Sequence, residues 1–79
     1  MNPKVEDNIV AAFSAIHRLD VIHGDVRKEN ILVLEDESVR IIDFEAAIIE
    51  VDHVEWFSVE NNEVSRMIKE LKSGIHSNE

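Results

Sequence analysis

Apolar and polar positions change their period along this chain, and each change marks an element. In residues 2–19, Val5, Ile9, Ala12, Phe13 and Ile16 recur at helical spacing and form one stripe. Asn2 is a good N-cap, and Pro3 suits the first helical position, where its missing N–H costs nothing. Glu6 and Asp7 sit near the positive end of the helix dipole, His17 and Arg18 near the negative end. Val10, Ala11 and Ala15 widen the stripe, so this helix is expected to be buried on more than one side. Ile31-Leu32-Val33-Leu34 is a continuous apolar run, the signature of a strand covered on both faces. Glu35 to Ser38 is polar, and Val39 to Phe44 alternates before turning apolar. Together they predict a β-hairpin with a longer, type I-based loop. Ala46 to Val51 is a candidate third strand. Val64, Met67, Ile68 and Leu71 predict a last helix over about 61–72, with Gly74 as its C′ residue and a frayed tail from His76. The fold class is α+β.

The hairpin has a chemical consequence. It returns the end of Ile42 to the start of Ile31, so Asn30 and Asp43 are expected to be neighbours in space. Asn30 ends a polar stretch, His23-Gly24-Asp25-Val26-Arg27-Lys28-Glu29-Asn30, entered through the short apolar Val21-Ile22. Gly24 is the only glycine before residue 74, and its place beside Asp25 suggests a turn that other residues would not tolerate. Two carboxylates and an amide, each at the end of a short strand, could grip a divalent metal and orient a nucleophile.

Length and charge narrow the partners. Seventy-nine residues make one small domain. With no cysteine, no disulfide or thiolate-bound metal supports it. The net charge is −9, of which residues 21–50 carry −5, around the polar stretch. That argues against nucleic acid or an anionic membrane as a partner and is compatible with a held cation, although most such acids simply keep a small surface solvated. No run approaches a membrane span and no basic-then-apolar leader opens the chain, so a cytoplasmic location is expected.

His23-Gly24-Asp25, Asn30 five residues on, an apolar hairpin and then Ile42-Asp43-Phe44-Glu45 together resemble the catalytic and metal-binding loops of the eukaryotic-protein-kinase-like superfamily. The eighteen-residue step from Asp25 to Asp43 fits, and so does the preceding helix; the resemblance covers about residues 5–50. The motif forms look closest to fungal protein-kinase-like domains and to the aminoglycoside-phosphotransferase and choline-kinase branch. The resemblance implies ATP-dependent phosphoryl transfer to a hydroxyl acceptor. Asp25 would be the catalytic base, Asn30 and Asp43 would hold Mg2+ on the ATP phosphates, and Arg27 would neutralise the transferring phosphate. His23 would be structural, a buried imidazole bracing the loop.

The departures define a second reading. Gly24 stands where many protein kinases carry an arginine that reads an activation-loop phosphate, so that regulation is not expected. Glu45 replaces the usual glycine. The 79 residues hold no Gly-rich phosphate loop, no strand lysine with its helix glutamate and no Ala-Pro-Glu segment. The chain is therefore expected to be a single partial kinase-like domain over 1–79, the core of a C-lobe without its N-lobe and incompetent alone. The alternative is a non-catalytic kinase-like remnant acting through protein contacts. Its uncovered apolar faces would favour self-association or a partner protein. His23 and Asp25 as a hydrolase metal pair find no support from the scattered His17, His53 and His76. Trp56 and Phe57 are read as packing residues ahead of a partner-binding patch.

Overall fold

A computed structural model describes residues 1–73, so Gly74 and the tail fall outside the described residues. The order of elements is α1 (Pro3–His17), a short 3-10 turn (Lys28–Asn30), β1 (Ile31–Val33), β2 (Val39–Ile41) and α2 (Val54–Ser73). This is the small α+β arrangement of two helices and a hairpin that the sequence predicts.

α1 starts as its capping residues require: the Asn2 side chain accepts from the Lys4 N–H at 2.7 Å, and Pro3 is the first helical residue. It ends two residues earlier than expected. Asp20 takes φ 62°, which reverses the chain, and the Val21 N–H returns to the Ile16 carbonyl at 3.2 Å. Val5, Ile9 and Phe13 are buried, whereas Val10, Ala11 and Ala15 face solvent. The helix therefore buries one stripe and not several sides, the stripe that meets α2, the hairpin and the His23 ring. The core joins Val5, Ile9 and Phe13 to Val64, Met67 and Ile68 of α2, with Ile31, Val39 and Ile41 of the hairpin packed against them. Each fully buried side chain of this size contributes about 2 kcal/mol. Glu6 pairs with Lys72 at 3.2 Å and His17 with Glu60 at 2.8 Å, so the two helices run antiparallel.

β1 and β2 pair antiparallel, Ile31 opposite Ile41 and Val33 opposite Val39. β2 is three residues long, shorter than the predicted run to Phe44. The Glu37 N–H returns to the Leu34 carbonyl at 2.9 Å, and Glu37 itself has φ 70°, where glycine is the usual residue. Asn8 and Lys4 hold that residue from α1: the Asn8 amide donates to the Glu37 carbonyl at 2.8 Å, and Lys4 lies 3.7 Å from its carboxylate. Covering of β1 on both faces is not found. Leu32, on the face turned away from the core, is exposed, and so are Val33 and Leu34 at the far end of the strand.

The third strand does not form among the described residues. The run from Ala46 makes a single antiparallel bridge, Ile48 with Ile22, with no second pair to extend it. α2 begins at Val54, two turns before the expected start, and so takes in Trp56, Phe57 and Glu60. Phe57 is half-buried against His17, with ring centroids 5.2 Å apart. Trp56 remains 42% exposed, so it is not the packing residue the sequence suggested.

Candidate active site

The loop from His23 to Asn30 is built outward from a buried imidazole. His23 is fully buried between Phe13 of α1 and Phe44, whose ring lies edge-on at 4.8 Å between centroids. The Asp25 N–H donates to its Nδ1 at 3.1 Å. Nδ1 is thus the acceptor, and Nε2 carries the proton, which it donates to the Ile42 carbonyl at 2.8 Å. The imidazole therefore joins the residue that begins the loop to the one that precedes Asp43.

Ile42 closes the arrangement from its other side. Its N–H donates to the Asn30 carbonyl at 2.9 Å. Two main-chain bonds, one to Asn30 and one to His23, thus place Asp43 beside the end of the loop, as the hairpin register requires. Asp43 has φ 61°, an uncommon conformation for a residue with a Cβ. The Asn30 side chain is buried, and its amide donates to the Asp25 carbonyl at 2.9 Å and the Asp25 Oδ2 at 3.3 Å. Arg27 Nε donates to the other carboxylate oxygen at 3.1 Å. Side-chain bonds thus join Asp25, Arg27 and Asn30, and Asp43 follows directly on the residue whose N–H is bonded to Asn30.

The donors that remain open suit a hard cation. Among the described residues, no protein donor reaches Asn30 Oδ1 or the Asp43 carboxylate. Both are oxygen ligands of the kind magnesium prefers. No three His, Cys, Asp or Glu side chains converge into a metal cage among the described residues.

One residue central to the site carries no signal in the sequence. Glu60 is 2% exposed. Its Oε1 accepts from His17 Nε2 at 2.8 Å and from the His23 N–H at 2.9 Å, and its Oε2 accepts from the Gly24 N–H at 2.9 Å. One buried carboxylate therefore fixes the end of α1 and the start of the loop together. A glutamate in an acidic helix reads as solvated surface, and its burial becomes visible only when α2 is placed under the loop. Gly24 explains itself in the same geometry. It has φ +88°, and a Cβ there would lie 2.3 Å from the Ala46 carbonyl oxygen. A side chain there would have to displace the Ala46 backbone and would sit at a strained φ.

Comparison with known proteins decides the family. The protein kinase domain family matches residues 3–72 of this chain. The chain belongs to the protein kinase domain family. Over 49 residues it is 43% identical to a calcium and calcium/calmodulin-dependent serine/threonine-protein kinase of Pisum sativum, a match covering 58% of this chain and 9% of that protein. The chain thus spans a small fraction of that relative's length. No solved structure matches. Family membership makes the chain part of a phosphotransferase lineage, and its two helices and hairpin are consistent with a partial kinase domain.

Proposed function

We propose that this chain carries the acceptor and metal half of an ATP-dependent phosphotransferase site. The observation that supports the reading is the double tie of Ile42, the residue before Asp43, to Asn30 and His23, beside the Asp25–Asn30 bond. Asp25 is the base that orients and deprotonates an acceptor hydroxyl. Asn30 Oδ1 and the Asp43 carboxylate are the oxygens that would hold Mg2+. Arg27, held over Asp25, offers its guanidinium to the transferring phosphate. Phosphoryl transfer asks mainly for positioning and charge neutralisation, and these side chains supply both. The magnesium, when bound, neutralises phosphate charge. Asp25 and Asn30 hold the acceptor side in register with it.

Turnover also needs a second wall over the nucleotide, since losing positioning groups costs many powers of ten in rate. The 79 residues hold no Gly-rich loop, so in this reading that wall is supplied from outside them. The acceptor is a hydroxyl on a protein or a small alcohol or sugar. The pea relative's name favours the first, the His-Gly-Asp and Asp-Phe-Glu forms the second. The location we propose is the cytoplasm; no described helix is long and apolar enough to cross a membrane.

Calorimetric titration with ATP, with and without magnesium, tests the reading. Binding should depend on magnesium, survive Asp25→Asn and vanish in Asp43→Asn. Absence of binding by this chain and by any longer chain containing it would overturn the proposal. A second reading, in which the chain acts only through protein contacts, draws on the exposed outer face of the hairpin, where Leu32 and Ile42 lie uncovered. Magnesium-dependent phosphoryl transfer by a longer chain containing these residues, lost on Asp25→Asn, excludes it.

A further inference from the structure

The first half of α2 presents a second apolar surface that the core does not use. Val64, Met67 and Ile68 point to α1. Trp56 and Val59 point elsewhere, into a groove of about 480 Å³ closed on its far side by Ile22, Ala46 and Ile48. Trp56, Val59 and Ile48 are 42%, 58% and 40% exposed, so the apolar floor is open to water. The rim is of one sign. Glu55 and Glu63 border the groove, and among the described residues no lysine or arginine lines it. The groove on the other side of α2, beside Val26, differs: Arg27, Lys28 and Arg66 stand there among its glutamates.

We infer that the Trp56–Val59 groove docks a partner segment that sets apolar side chains on the floor and lysine or arginine against Glu55 and Glu63. Charge decides between this occupant and a second copy of the chain. A two-fold pair uses the same patch on both molecules, so it would bring Glu55 and Glu63 toward their own equivalents. It would also join two chains of net charge −9. A basic amphipathic segment satisfies the rim while covering the floor, and opposite charge across an interface also speeds association and rejects wrong partners. The surface lies beneath the 23–30 loop, and neither Asp25 nor Asp43 lines it. Gly24 and Glu60 do line it, so it shares its inner wall with the loop, but peptide docking is read out without nucleotide or magnesium and is tested apart from the phosphotransferase reading.

Trp56 is the only tryptophan, so its emission reports the groove directly. The probe is a short synthetic amphipathic peptide of leucine and lysine, compared with the same peptide bearing glutamate for lysine. The lysine peptide should shift Trp56 emission to the blue and saturate, with affinity falling about tenfold from low to physiological salt, as screened opposite charges require. The glutamate peptide should not bind. Val59→Asp should abolish the shift, and Glu55→Gln with Glu63→Gln should weaken binding severalfold. Far-UV circular dichroism confirms that each variant is folded, and the double glutamine variant decides the matter should Val59→Asp not fold. Equal binding of both peptides, no binding of the lysine peptide, or unchanged binding in the double glutamine variant overturns the inference. So does a blue shift that grows with the concentration of the chain alone, with a dimer seen by light scattering, because the occupant is then a second copy.

Discussion

The underside and the open side of the 23–30 loop are held by different means. Beneath it, Glu60 is 2% exposed and accepts three hydrogen bonds, two of them from loop N–H groups. Above it, the Asp25 side chain is 40% exposed and is met by Arg27, itself 61% exposed. The underside fixes backbone, and the open side leaves oxygens for a ligand. Buried polar groups are costly to leave unpaired, whereas an exposed ion pair is worth at most about 1 kcal/mol. Rigidity and availability thus come from opposite faces of one loop.

That contrast breaks most plainly at Glu60. Glu60→Ala leaves the His23 and Gly24 N–H groups and the His17 ring without their acceptor, and should cost about 4 kcal/mol in urea unfolding. Small domains hold only about 5 kcal/mol or little more, so this variant is expected to be largely unfolded. A loss below about 1 kcal/mol would show that the underside does not anchor the loop. Next in size is Gly24→Ala. Its Cβ would strike the Ala46 carbonyl at a φ that disfavours any side chain, a cost of about 3 kcal/mol by the same assay. On the open side, Asp25→Asn and Asp43→Asn should each change stability by less than about 1 kcal/mol. Their effect belongs to the ligand: calorimetry should show magnesium-dependent ATP binding kept in the first and lost in the second.

The smallest effect lies at the hairpin turn. The Ser38 hydroxyl, and then its N–H, donate to Asp36 at 2.6 and 3.0 Å and hold that carboxyl below its ordinary 3.8. A lowered native value stabilises the fold above the ordinary one, and the contribution is lost as pH falls through the lowered one. Ser38→Ala should therefore narrow the difference in denaturation midpoint between neutral and strongly acidic solution. The exposed site keeps the change slight.

The sequence was readable where the reasons are local. The α1 stripe, the Asn2 cap, the hairpin and the closeness of Asn30 to Asp43 follow from residues a few positions apart. The first two turns of α2 were not readable, because Trp56 and Val59 face one surface while Phe57 and Glu60 face another. Two stripes at once blur the period by which a helix is recognised. The run from Ala46 to Val51 has the composition of a strand. The contact of Ala46 with Gly24 and the single bridge at Ile48 leave it no further partner.

By itself, then, the sequence determined the α+β elements, the kinase-like motifs and the order in which Asp25, Asn30 and Asp43 appear. Only the tertiary structure decided what holds them. Glu60 lies 37 residues from the His23 N–H it accepts, and nothing in its neighbours distinguishes it from a solvated acid. A helix pattern reports which side is apolar. It does not report which polar side chain the packing of α2 against the loop removes from water, and in this chain that residue, Glu60, anchors the loop.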